Sequence, residues 1–195
     1  MADLWFGGSF NPIHHAHLIC ARAAAEQAGF DRVVLVPSAI SPHKTNDSAM
    51  APAADRLEMC RLATANITHF SVSDIELKLP TPSFTLQTVR ALTAQNPRQI
   101  NWLIGGDMLL YLPQWRQPLD LIKEASLWVM ARPGSELDWS KLPLEYHPLK
   151  SNVIQTPLID ISASGIRQRI TAGLGIDYLT PPAVVDYIRN RGLYR

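Results

Sequence analysis

Gly7-Gly8-Ser9-Phe10-Asn11-Pro12-Ile13-His14-His15-Ala16-His17 follows directly on a short apolar run, Leu4-Trp5-Phe6. The pattern predicts a buried strand that ends in a tight turn and feeds an Ala-rich helix over Leu18–Ala28, closed by Gly29. Such a junction presents bare backbone N–H groups and a positive helix end, together an anion site. His14 and His17 are spaced i, i+3, so at a helix start they share one face. Read alone, they are surface or satisfied polar histidines. Beside a phosphate cradle, they point to a phosphate that is worked on as well as held.

Outward from this junction, strand-like and helix-like runs alternate. Strands are expected at Arg32–Val36, Phe70–Val72, Ile100–Ile104, Leu127–Ala131 and Val153–Gln155. Helices are expected at Asp55–Ala65, Phe84–Gln95, Ser164–Ala172 and Pro182–Arg191. Continuous apolar strands separated by helices imply an α/β fold, a doubly wound and mainly parallel sheet covered on both faces. Ligands in such sheets bind beyond the carboxyl ends of the strands. Gly7-Gly8, Pro37–Lys44, Gly105–Asp107 and Arg132–Gly134 all follow expected strands and should share that edge. Segment Gly134–Lys150 reads as polar and irregular.

Composition narrows the class. A chain of 195 residues, 47% of them hydrophobic, suits a single domain spanning residues 1–195. A net charge of +1 offers no basic surplus for nucleic acid and no acidic run for disorder. No apolar run approaches a membrane span, and Met1–Phe10 lacks the features of a signal peptide. Cys20 and Cys60 form no CxxC and read as reduced, buried thiols of a cytoplasmic protein. The oligomeric state, monomer or homo-oligomer, is not written in the chain.

The glycine turn matches neither GxGxxG nor GxxxxGK[ST], so the dinucleotide fingerprint and the P-loop are both absent. There is no HExxH and no cysteine at ligand spacing, so no protein metal site is expected. GGSFNPIHHAH instead resembles the (G/S/T)-F-(D/N)-x-x-H-x-G-H signature of the HxGH nucleotidyltransferase superfamily. Ala16 stands where that family usually has Gly, and Asn11 where Asp is commoner. Ile161-Ser162-Ala163-Ser164-Gly165-Ile166-Arg167 is similar to its second signature, ISxTxIR, with Ser164 for Thr. The plain reading of that segment is a serine N-cap opening a helix. Both readings can hold, since a helix start with hydroxyls and an Arg is itself a phosphate site. Pro42-His43-Lys44, Glu76-Leu77 with Pro82-Ser83-Phe84-Thr85, Ile104–Asp107 with Pro113-Gln114-Trp115, Arg132-Pro133-Gly134 and Gly192–Arg195 resemble blocks of bacterial nicotinate-nucleotide adenylyltransferases.

That resemblance implies a Rossmann-like fold and adenylyl transfer from ATP to nicotinate mononucleotide, a step of NAD biosynthesis. His14, His17 and Arg167 would be the catalytic residues. The ATP site would comprise Gly7, Gly8, Ser9, Phe10, His14, His17, Gly105, Asp107, Ile161, Ser162, Ser164 and Arg167. The mononucleotide site would comprise His43, Lys44, Thr85, Trp115 and Arg116, with Trp115 on the pyridine ring and backbone N–H groups on the carboxylate. Asp107 could bind a ribose or serve as a helix N-cap, and Trp115 could simply anchor its loop. Mg²⁺ would arrive on the ATP phosphates. Nicotinamide-nucleotide or pantetheine-phosphate adenylyl transfer, and a non-catalytic nucleotide sensor, are the alternatives.

Overall fold

The computed structural model describes residues 2–40, 49–131, 134 and 137–195. Six strands form one sheet: β1 (Asp3–Gly8), β2 (Arg32–Pro37), β3 (Phe70–Val72), β4 (Ile100–Gly105), β5 (Ala125–Ala131) and β6 (Val153–Gln155). Their order is β3-β2-β1-β4-β5-β6 and every pairing is parallel. The chain leaves β1 toward one side and returns to β4 on the other, so the topological switch point lies between those two strands. Gly8 pairs with Pro37 across β1 and β2, and Gly105 with Met130 across β4 and β5. The expected loop starts therefore do share one edge. Residues 41–44 and Arg132-Pro133 lie outside the described residues.

Both faces of the sheet are covered, which is why the strands read as apolar runs rather than alternating ones. Leu4, Phe6, Val33, Leu35 and Leu103 face α1 (His15–Ala28), α2 (Ala53–Thr64), α6 (Ala163–Thr171) and α7 (Pro182–Arg191). Val36, Ile100, Trp102, Ile104, Leu127 and Val129 face α3 (Thr85–Gln95), α4 (Gly106–Leu109) and α5 (Pro118–Glu124). Each fully buried Leu of these layers is worth about 2 kcal/mol of transfer free energy. On α1 the buried positions include Ala21, Ala24 and Ala25, so small side chains set the helix close against the sheet. Gly29 closes α1 at φ 73, its N–H bonded to the Ala25 and Glu26 carbonyls, as expected of a left-handed C-cap.

Two expectations change. Residues 137–152 are not simply an irregular polar loop: short 3₁₀ turns at Trp139–Lys141 and Leu144–Asn152 bury Leu142, Tyr146 and Leu149 against the second layer. Their 3₁₀ period eclipses side chains every third residue, which blurs a helical stripe. Cys60 is fully buried, but Cys20 is only partly so, its Sγ–H directed at the Pro157 carbonyl. Among the described residues no helix is long and apolar enough to cross a membrane.

Candidate active site

The junction after β1 is built by its own side chains. A Cβ on Gly7 would overlap the Trp102 indole, and one on Gly8 would lie 2.9 Å from Phe10 Cζ. The glycines are thus required first by packing. Phe10 adopts φ 45, a left-handed conformation costing a bulky residue on the order of 1 kcal/mol. It is retained because its ring is 2% exposed and set edge-on to Phe6 at 5.5 Å and to His17 at 5.1 Å. Asn11 is a hub. Its Nδ2 donates to the Ala49 carbonyl, and its Oδ1 accepts from the Ala51 N–H at 3.0 Å and the Tyr194 hydroxyl at 2.7 Å. Burial raises the Tyr194 pKa, so that hydroxyl stays a donor.

His14 is the N-cap of α1, and the two imidazoles stack with ring centroids 3.6 Å apart. His17 Nδ1 accepts from the His14 N–H at 3.3 Å, half of a capping box. An accepting Nδ1 puts the ring proton on Nε2, so His17 is held as a hydrogen-bond donor at its far end. Ala16 lies within the helix, so the position needs no positive φ and tolerates Ala in place of Gly.

The bare N–H groups lie slightly upstream of where the sequence placed them. The helix start is partly consumed by the chain, since the His15 N–H bonds the Leu179 carbonyl at 3.0 Å. Those of Ser9 and Phe10 donate to no described residue.

The second motif opens α6. Ser162 is its N-cap, with Oγ accepting from the Gly165 N–H at 3.1 Å and lying 3.2 Å from Ser164 Oγ. Arg167, one turn on, reaches back to the first motif: its Nη1 donates to the Asn11 carbonyl at 2.9 Å. Segments 156 residues apart thereby meet at one point. Ile161 packs its side chain on the first core layer.

A second cluster stands at the start of α3. Phe84 caps that helix with no side-chain bond, leaving the first-turn N–H groups at Thr85 to a ligand or solvent. The Arg116 guanidinium lies 4.7 Å from the centre of the Phe84 ring, which joins the Trp115–Arg116 loop to the same helix start. Trp115 packs partly on the second layer, and its buried Nε1–H has no acceptor among the described residues. The Ser83 N–H donates to the Ile40 carbonyl at 2.8 Å and Ser83 Oγ accepts from the Ala39 N–H, tying this turn to the loop after β2. His43 and Lys44, expected further along that loop, lie outside the described residues. Gly105 ends β4, and exposed Asp107 belongs to the first turn of α4 without acting as its N-cap. Among the described residues no group of three or more His, Cys, Asp or Glu could hold a metal ion.

Arg56 and Ser38 escaped the motif reading, and Glu76 entered it only within a family block, with no role. Arg56 is 1% exposed and donates to three backbone carbonyls: Ala51, Ser9 and Ala39. Its signal was its place on the buried stripe of α2, at helical spacing from Met59, Cys60 and Ala63. Glu76, buried beneath α3, accepts from the Thr88 hydroxyl at 2.8 Å. Burial raises its pKa, partly offset by hydrogen bonds from Thr88 and Ser83. Ser38 Oγ is buried beside the β1 turn with no partner among the described residues.

Residues 5–169 match the family model described as cytidylyltransferase-like. A relative from Synechococcus sp. (strain JA-3-3Ab), named "Probable nicotinate-nucleotide adenylyltransferase", is 39% identical over 96% of this chain and 92% of its own length. One of the same name from Neisseria gonorrhoeae (strain NCCP11945) is 38% identical over 97% and 96%. The chain belongs to the nicotinate-nucleotide adenylyltransferase family. Its fold matches that of Plasmodium falciparum nicotinic acid mononucleotide adenylyltransferase complexed with NaAD, at a TM-score of 0.75 and 19% identity over 100% of this chain and 98% of that one.

Proposed function

We propose that the chain transfers the adenylyl group of ATP to the phosphate of nicotinate mononucleotide, yielding nicotinate adenine dinucleotide and pyrophosphate. A phosphate oxygen of the mononucleotide attacks the α-phosphorus in line. The bond from that phosphorus to the bridging oxygen breaks, and its electron pair leaves with pyrophosphate. The attacking group is already anionic, so no strong base and no covalent intermediate are needed. Positioning and charge stabilisation carry the reaction.

One observation supports this reading above the others. The Arg167–Asn11 bond joins the two motifs at one turn. His17 Nε2–H, with His14, donates to the α-phosphate as it is attacked. The Ser9 and Phe10 N–H groups beyond Gly7-Gly8 line the triphosphate, while Ser162, Ser164 and Arg167 hold the departing end. Ile161 contributes backbone alone, and Gly105 and Asp107 face the ribose. These groups donate to anions rather than ligate metals, which suits Mg²⁺ carried in on the phosphates, where it screens their charge. Two cysteines, 40 residues apart and outside any CxxC, support a reducing, cytoplasmic location.

For the acceptor, the open N-terminus of α3 at Thr85 and the Arg116 guanidinium beside it offer N–H donors and positive charge to a carboxylate. A neutral amide gains less from either. Assayed side by side by pyrophosphate release, nicotinate mononucleotide should exceed its amide in kcat/KM by about tenfold or more, roughly 1.4 kcal/mol. Equal rates would assign the chain to the amide. Trp115→Ala should raise KM for nicotinate mononucleotide about tenfold through loss of its ring contact, with KM for ATP within about threefold. A change confined to ATP would remove Trp115 from the acceptor site.

A further inference from the structure

We infer that Arg56 is a positioning residue whose buried positive charge braces the phosphate-binding turn and takes part of its counter-charge from the bound triphosphate. The inference rests on the proposed placement of ATP at Ser9–Phe10.

The guanidinium is almost wholly enclosed, and its Nε, Nη1 and Nη2 donate to the carbonyls of Ala51, Ser9 and Ala39 at 2.9, 2.8 and 2.8 Å. Among the described residues no carboxylate touches it; buried Glu76 acts on its charge only from a distance. Burial opposes its charge, yet a guanidinium does not give up its proton in a protein. A buried cation satisfied by carbonyls alone is an expensive way to hold three loops. Neutral amide side chains supply N–H donors without that cost.

The geometry points to what the charge is for. The three carbonyls belong to the turn after β1, the loop after β2 and the residue before the Pro52 N-cap of α2. In a planar trans peptide the C=O and the following N–H point in opposite directions. Drawing the Ser9 carbonyl toward Arg56 therefore turns the Phe10 N–H away from it, and that N–H donates to no described residue. The same constraint at Ala39 sets the Ile40 peptide in the loop tied to Ser83. Arg56 thus polarises the peptide that carries the free donor and adds a fixed positive field behind it. A polyanion on the far side adds the nearby counter-charge that distant Glu76 supplies only in part.

The test separates charge from hydrogen bonding. Arg56→Gln keeps N–H donors and removes the charge, whereas Arg56→Lys keeps the charge and loses the fork. Each purified variant is assayed with ATP and nicotinate mononucleotide well below its own Tm, and its Tm is measured with and without ATP. Arg56→Gln should lose about 30-fold or more in kcat/KM for ATP, keep KM for nicotinate mononucleotide within about threefold, and lose most of the ATP-induced rise in Tm. Arg56→Lys should recover part of both ATP readouts. Should Arg56→Gln not fold, Arg56→Lys against wild type carries the test: it should keep part of the ATP-induced Tm rise, with at least threefold lower kcat/KM for ATP. Equal losses in both folded variants, or wild-type ATP parameters in either, would overturn the inference. Wild-type protein that releases no pyrophosphate from the two substrates would instead overturn the proposed function beneath it.

Discussion

His17→Ala is expected to lower kcat by about 10²–10³-fold, the usual cost of removing one donor aimed at charge that develops in a transition state. The side chain has two ends with separable duties. Nδ1 accepts from the His14 N–H and so closes the start of α1. Nε2 carries the proton that is proposed to reach the phosphate. Alanine removes both, along with the stack on His14 and the edge contact with Phe10. The lost cap costs about 1 kcal/mol, which for a domain of this size lowers Tm by about 2–4 °C. His17→Gln divides the two duties. Gln at this third helical position accepts from the N-cap N–H in a capping box, so Tm should return toward wild type while kcat stays low. Turnover of His17→Ala within threefold of wild type, measured by pyrophosphate release, would remove His17 from the chemistry.

The same histidine marks how far sequence alone reaches. Its pairing with His14 was legible from i, i+3 spacing, because helical geometry is local. The strands were legible for a related reason: burial on both faces leaves runs such as Arg32–Val36 and Ile100–Ile104 almost without polar interruption. Short elements were not. Helices α4 and α5 span four and seven residues, too few for a periodic stripe, and the one local signal for α5 was Pro118 at its first position. Long-range contacts were the larger gap. Asn11 read as a stand-in for Asp within a motif, yet its structural work is to join the Ala49–Ala51 segment, Tyr194 and Arg167. Arg56 drew no reading, because nothing nearby in sequence reveals that its partners are carbonyls of Ser9 and Ala39. The Gly7-Gly8 pair was legible as a turn, but the Trp102 ring that fills the space over Gly7 comes from a strand far along the chain.

Arg167→Lys should cost about 10²-fold in kcat/KM for ATP, roughly 2.7 kcal/mol of transition-state stabilisation. In the native chain Nη1 is spent on the Asn11 carbonyl, while the remaining guanidinium N–H groups donate to no described residue. One planar fork can therefore hold the first motif and still present donors to phosphate oxygens. A lysine ammonium has the charge but not the fork, and cannot serve both partners in the same geometry. The loss should fall on chemistry rather than on folding. Asn11 keeps its side-chain bonds to Ala49, Ala51 and Tyr194, so one missing bond to its carbonyl costs only about 1 kcal/mol of stability. Product inhibition locates the defect. If Arg167 holds the leaving group, the inhibition constant for pyrophosphate rises with the drop in kcat/KM while KM for nicotinate mononucleotide stays within about threefold. Unchanged pyrophosphate inhibition in a slow Arg167→Lys variant would mean that the residue serves only to brace the Asn11 turn. Arg167→Met, which removes the charge as well, should then be no slower than Arg167→Lys. Under the leaving-group assignment it is slower by a further tenfold or so, the worth of one charge-assisted hydrogen bond.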